Sequence, residues 1–151
     1  MTSQLLFRVL TTPLSDKSLQ EFRKDAGWHG HSTQHKNNAA QPSKGRVQWV
    51  SVEVGKARVG IARLELAPPE FCYVADLIVA SKHRNRGVGR WLLRHIEQHC
   101  TALGIVRLIL QAAPGTESFY ESQQFVSDPY VPALLKKDIN PFQRRLFAPA
   151  P

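Results

Sequence analysis

The sequence predicts an α+β fold of three layers, an α/β three-layer arrangement in which a central sheet is flanked by helices. Three observations lead there. Two β-branched runs, Val47 to Val54 and Ala57 to Leu66, meet at Gly55-Lys56, the short-turn signature of a β-hairpin. The nearly continuous apolar run from Phe71 to Ala80 reads as a central strand covered on both faces. Behind it, Val88, Leu92, Leu93, Ile96, Cys100 and Leu103 form an apolar helical stripe stopped by Gly104, and Ile105 to Leu110 reads as another buried strand. Strand, helix and strand in tight succession make a βαβ-type unit, a pattern that does not by itself say whether the two strands are neighbours.

The flanking elements are shorter. Leu5 to Leu10 reads as a strand ended by Thr11-Thr12-Pro13. Ser15 can cap a helix in which Leu19, Phe22, Arg23 and Ala26 recur at helical spacing up to Gly27. Residues 29 to 46 are polar, with little apolar periodicity, and are expected to form a loop. Pro114-Gly115 turns the chain into a short helix around Thr116 to Gln123, and Phe142 to Phe147 is a candidate edge strand in a proline-containing tail.

A chain of 151 residues with 42% hydrophobic content is sized for one core, so residues 1–151 are expected to form a single domain. The 2 cysteines, Cys72 and Cys100, each lie in an apolar run, which suits small buried residues better than a disulfide framework. The 6 histidines make no paired ligand spacing with them, so no metal site is expected. No basic start followed by a long apolar stretch is seen, nor any apolar run near the roughly 18 residues of a membrane span, which leads us to expect a soluble, cytoplasmic protein with no membrane partner. The net charge of +8 draws anions: a phosphorylated cofactor, an acidic small substrate or nucleic acid. The basic residues are scattered along the chain without interleaved aromatics, which disfavours nucleic acid.

The strongest chemical signal is Arg84-Asn85-Arg86-Gly87-Val88-Gly89-Arg90, placed where a buried strand ends and an amphipathic helix begins. A helix start exposes unpaired N–H groups and the positive end of a dipole, so it can hold a phosphate with backbone alone. Gly87 and Gly89 leave those amides bare, and Arg84, Arg86 and Arg90 add positive charge suited to a diphosphate. Read on spacing alone, the same segment is also compatible with a basic turn whose glycines serve only the backbone. The Walker A string is absent, and the third glycine of a dinucleotide-binding fingerprint would fall at Leu92.

This segment resembles motif A of the GNAT superfamily of acyl-CoA-dependent N-acyltransferases, with Arg84, Gly87 and Gly89 matching its pattern of Arg or Gln, two residues, Gly, one residue, Gly or Ala. Asp76-Leu77-Ile78-Val79 resembles the family's fourth strand, and Glu117 to Phe125 its Phe-Tyr-Glu-x-x-Gly-Phe segment. Phe22 to Trp28 is similar to the first helix of one branch. The resemblance implies a mixed, largely antiparallel sheet and acetyl-CoA as cofactor. It places the pantetheine arm and acyl carbonyl on the backbone at Leu77 and Val79, and the pyrophosphate on Asn85, Arg86, Gly87, Val88, Gly89 and Arg90 beside Arg84. The sequence departs from the family at Gln124, where glycine is usual, and at Ala113, where many members carry Asn.

Acetyl transfer from a thioester to an amine needs a base for the amine, a polarised carbonyl and an acid for the leaving thiolate. The resemblance gives the acid to Tyr120. Asp76, an acid inside an apolar strand, is the first candidate for the base or for binding the amine cation, with a structural hydrogen-bonded role equally open and Glu53 and Glu65 as further candidates. His83 is a minor candidate base, and Trp28, His29 and His31 could line the acceptor pocket. The expected activity is N-acetylation of a primary amine on a small molecule or protein, with a homodimer as the default assembly. Two other readings stay open: a non-catalytic CoA-binding regulatory module, and an acetyltransferase acting on charged RNA.

Overall fold

The computed structural model describes residues 4–28 and 46–139. Strands β1 (Leu5–Val9), β2 (Val47–Val54), β3 (Ala57–Ala67) and β4 (Phe71–Val79) follow one another as antiparallel neighbours. The hairpin forms where its sequence requires. Val54 faces Ala57, and Gly55 takes φ 61°, a left-handed conformation that glycine adopts without steric cost. Helix α1 (Asp16–Asp25) lies between β1 and β2 in the chain, and the Ser15 hydroxyl caps it by accepting the Ser18 N–H. Helix α2 (Val88–Ala102) links β4 to β5 (Arg107–Gln111), and these two strands are direct parallel neighbours, which completes the βαβ unit.

After the short helix α3 (Glu117–Ser122), β6 (Val126–Ser127) and β7 (Leu134–Asp138) finish a 7-stranded sheet of order β1-β2-β3-β4-β5-β7-β6. Every pairing except β4 with β5 is antiparallel, so the sheet is mixed and largely antiparallel as the resemblance implied. Strand β7 was not expected. Its side chains, Leu134 and Leu135 followed by two lysines and an acid, carry no alternation, and its place is fixed by pairing along β5. The expected strand at 142–147 and the loop from 29 to 45 fall outside the described residues, and Arg46 is bonded through its carbonyl to the Leu66 N–H.

The helices complete three layers. On one face, Leu92, Leu93, Ile96 and Cys100 of α2 are buried against Val50, Val52, Leu64, Val74 and Leu108. On the other, Leu19 and Phe22 of α1 pack over Ile61 and Ile78. Removing such side chains from water contributes about 1.5–3 kcal/mol each, and this burial is the main force that sets both helices on the sheet. Gly60 is required by packing, because a Cβ there would lie 2.6 Å from Val52 Cγ1. No helix among the described residues is long and apolar enough to cross a membrane.

The end of α3 shows the consequence of the Gln124 departure. The Phe125 N–H donates to the Tyr120 carbonyl and the Gln124 N–H to that of Glu121, the paired bonds of a left-handed helix stop, and Gln124 holds φ 75°. A residue with a Cβ is strained there. Gln124→Gly should therefore raise stability by about 0.5–1 kcal/mol after the extra backbone entropy of glycine is subtracted. A urea denaturation midpoint equal to or below that of the wild type would contradict this reading.

Candidate active site

Strand β4 is irregular at Asp76. Ile61 pairs with Ile78 and Arg63 with Ala75, so Ala62 on β3 faces two residues, Asp76 and Leu77, across a bulge. Asp76 carries φ 50°, unusual for a residue with a Cβ. Two arginines hold it. Arg23 of α1 donates from Nε to Oδ1 at 3.0 Å and from Nη2 to Oδ1 and Oδ2 at 2.9 and 3.0 Å, while Arg63 Nε lies 3.4 Å from Oδ2. The Asp76 side chain is 0% exposed, and Arg63 Nε has no hydrogen-bond partner among the described residues. A buried acid so closely paired is held in one position.

Past the bulge the sheet opens. Strands β4 and β5 pair only over Cys72–Val74 and Leu108–Leu110, yet β4 continues along β3 to Val79. Among the described residues, the β5-facing edge of residues 75–79 therefore has no strand beside it. The Ala80 N–H goes to the Val59 carbonyl on β3, at 2.8 Å, and strand alternation then turns the peptide groups of Val79 toward the opening. The Val79 carbonyl accepts from Arg84 Nε at 2.9 Å, which leaves its N–H directed into the gap.

The corner into α2 is built from left-handed residues, Asn85 at φ 61° and Gly87 at φ 80°. The Trp91 N–H donates to the Gly87 carbonyl at 3.0 Å as the helix begins, so the N–H groups of Val88, Gly89 and Arg90 have no partner within the helix. They point from the positive end of the helix dipole, a ready anion site. The Arg90 guanidinium folds back to 3.6 Å from where a Cβ on Gly87 would stand. A Cβ on Gly89 would touch Phe119 Cζ at 3.4 Å and Val79 Cγ2 at 3.7 Å, so the end of β4, the start of α2 and α3 meet at this point.

Tyr120 follows Phe119 on α3. Its ring makes edge contacts with Phe119 and Phe125 at centroid separations of 5.0 and 5.7 Å, and burial pushes its phenol up to about 12. The hydroxyl forms no hydrogen bond among the described residues. It is a protonated donor at neutral pH.

Of the residues singled out from sequence, Val79 and Gly89 meet beside Phe119, with Gly87, Val88 and Arg90 in the same helix start, Leu77 two residues back on β4, and Tyr120 next to Phe119 in the core. The Val88 side chain is buried in the core, which leaves its amide as the group it can offer. Arg86 is exposed. Arg84 points elsewhere than expected: its guanidinium bonds Val79 and the Asp25 backbone and lies 3.4 Å from the Asp25 carboxylate. Asp25 in turn accepts the Ser81 N–H at 2.8 Å and the Ser81 hydroxyl at 2.7 Å, and the hydroxyl bond foremost holds its carboxyl below the usual range.

The candidate bases separate by environment. Asp76 is enclosed by guanidinium groups, the structural role that the sequence left open. Glu53 binds Arg8 Nε at 2.7 Å. Glu65 is half-buried opposite Tyr73, and its carboxylate makes no ion pair or hydrogen bond among the described residues. His83 sits in the 3-10 turn Ser81–His83, Trp28 packs with the α1 cluster, and His29 and His31 lie outside the described residues. Cys72 and Cys100 are buried free thiols, and Cys72 is pushed up by its hydrogen bond with Cys100 and by burial. No metal-binding group of acids, histidines and cysteines occurs among the described residues.

Sequence reasoning missed Arg63 and the use of Arg23. The signal was present: each is a lone base within an apolar pattern, as Asp76 is a lone acid, and such groups are buried only with a partner.

The chain is similar to known proteins in sequence pattern and in fold. Residues 12–125 match the model of the Acetyltransferase (GNAT) family. GCN5 of Tetrahymena is similar over 89% of this chain and 96% of its own, with TM-score 0.69 and 18% identity. The ribosomal-protein-S18-alanine N-acetyltransferase of Escherichia coli matches at TM-score 0.67 and 16% identity, covering 91% of this chain and 95% of its own. PaiA N-acetyltransferase of Thermoplasma acidophilum, solved in complex with coenzyme A, matches at TM-score 0.65 and 15% identity over 89% of this chain and 99% of its own. No curated protein matches the sequence. The chain belongs to the GNAT acetyltransferase family, and as a member it is an N-acetyltransferase enzyme with acetyl-CoA as donor.

Removing the shared carboxylate should expose how much the buried cluster matters. Asp76→Ala leaves two buried guanidinium groups uncompensated and is expected to cost about 3–5 kcal/mol of folding stability. Urea unfolding checks this, and a loss under about 1 kcal/mol would show that the three side chains are not tightly coupled.

Proposed function

We propose that the chain, working as one domain, transfers the acetyl group of acetyl-CoA to a primary amine of a small molecule or of a protein. The observation that carries this is the unpaired edge of β4 leading into the bare amides at the start of α2, with the Tyr120 side chain in the same core cluster. The residues present fit the cofactor: a strand edge for an amide-bearing arm and a helix start for a diphosphate. Bound acetyl-CoA supplies an activated thioester.

The roles of the chain follow from position. The N–H groups of Val88, Gly89 and Arg90 bind the pyrophosphate, with Asn85, Arg86 and Gly87 shaping the turn and the Arg90 guanidinium adding charge. The backbone at Leu77 and Val79 orients the arm, and the free Val79 N–H stabilises negative charge on the carbonyl oxygen. Tyr120 keeps a proton on Oη at neutral pH for the departing sulfur. Glu65, on the α1 face of the sheet and without an ion pair among the described residues, takes the proton of the amine directly or through water. Arg84 supports this site from behind, through Val79.

A protonated phenol at Tyr120, next to Phe119 where α3 meets the helix start, favours an enzyme over a regulatory module. The buried free thiols are consistent with a reducing, cytoplasmic setting, and a homodimer is the assembly to be checked by sedimentation.

Calorimetric titration of acetyl-CoA, followed by a screen of amines for release of free thiol, tests the proposal. Tight binding without release on any acceptor would favour the regulatory reading. Tyr120→Phe should lower kcat about a hundredfold while acetyl-CoA affinity is kept within about twofold. Full turnover by this variant would remove Tyr120 from its role.

A further inference from the structure

Helix α1 touches the cofactor edge through two side chains that the acetyl-transfer chemistry does not use. Arg23 grips Asp76 at the start of the irregular segment of β4, with three bonds between 2.9 and 3.0 Å. Two residues on, Asp25 grips the far end, accepting both the N–H and the hydroxyl of Ser81 and lying against Arg84. Arg84 completes the loop by donating to the Val79 carbonyl. The stretch between the two grips, Leu77 to Val79, is the part of β4 that has no β5 neighbour.

Neither grip is part of the backbone pairing of the sheet. Asp76 at φ 50° is a strained conformation for a side-chain-bearing residue, and it persists only where surroundings impose it. Here the imposing contact is a planar guanidinium that fits the carboxylate at both oxygens, a geometry Lys cannot reproduce. The outer grip is exposed, where ion pairs add little to stability. Its four converging bonds therefore define position more than they add strength. They fix the direction of the strand end and of the corner that presents the helix amides.

We propose that α1 is a positioning clamp for the acetyl-CoA site: Arg23 through Asp76, and Asp25 through Ser81 and Arg84, set the spacing between the Val79 N–H and the amides at the start of α2. Arg23 and Asp25 are positioning residues, and this inference rests on the acetyl-CoA reading above. A diphosphate and an amide-bearing arm are bound together only if both sets of N–H groups are in register, so loosening the clamp weakens the donor and leaves the acceptor side in place.

The test uses Asp25→Asn, Asp25→Glu and Arg23→Lys in the full chain, with calorimetric titration of acetyl-CoA, steady-state kinetics against an active amine and thermal unfolding. Asp25→Asn, at a partly exposed site, should keep its melting temperature within about 2 °C of wild type while the KM and Kd for acetyl-CoA rise about five- to tenfold and the amine KM stays unchanged. Asp25→Glu should recover part of the lost affinity, and Arg23→Lys should show the same donor-specific loss at some cost in stability. If wild type binds acetyl-CoA and Asp25→Asn binds it equally well, the clamp is overturned while the cofactor site stands. Equal losses for donor and amine would make α1 merely structural, and absence of binding by wild type would remove the site and the clamp together.

Discussion

Where β4 leaves its regular path, a single carboxylate is enclosed by two guanidinium groups, one from the neighbouring strand and one from the helix above. Taking these charges out of water is costly unless their mutual attraction and hydrogen bonds are well made, and the Arg23–Asp76 geometry meets that condition at both carboxylate oxygens. The arrangement has a consequence for the backbone. It stabilises a left-handed residue and an extra position in β4, and beyond that position β4 is no longer paired with β5. An open edge in the middle of a sheet is unusual, because unpaired peptide groups are exposed to loss of hydrogen bonding. At this place a strand N–H and, at the adjoining helix start, three helix N–H groups stand without partners in the sheet or the helix, donors suited to a negatively charged carrier with a polar arm.

The hydrophobic layers make the opening rigid. The α2 stripe and the α1 residues bury opposite faces of the same strands, so neither β3 nor β4 can relax toward β5 without exposing core side chains. Gly89 lets three elements approach at one point, with Phe119 and Val79 in contact distance of its missing Cβ. Chemistry and packing share these residues. A single glycine leaves an amide without a helix partner and also lets Phe119 of α3 approach Val79 at the end of β4.

Much of this was legible in the sequence, and for physical reasons. Hairpin turn chemistry at Gly55-Lys56, the continuous apolarity of β4 and the helical stripe of α2 are local signals that tertiary structure rarely overrides. The glycines at 87 and 89 pointed to bare amides at a helix start, and the fold gives each a backbone reason as well, a left-handed φ of 80° at Gly87 and the close approach of Phe119 and Val79 at Gly89. Strand β7 was illegible since its pairing with β5, not its own pattern, makes it a strand. The fate of Asp76 was readable only in part: its lone charge demanded a partner, and nothing local said that Arg23, 53 positions away, would supply it. Arg84 looked like a phosphate ligand because of its neighbours in the chain, and it is turned to Val79 and Asp25 by contacts that only the fold creates.

The central claim is that an unpaired stretch of β4 and the first amides of α2 together receive the acetyl-CoA chain. Amide hydrogen exchange with and without acetyl-CoA measures it residue by residue. Binding should slow exchange at Val79, Val88, Gly89 and Arg90 and leave Cys72 to Val74, already paired with β5, unchanged. Protection that appeared elsewhere on the surface while those four amides kept their free-state rates would contradict the account.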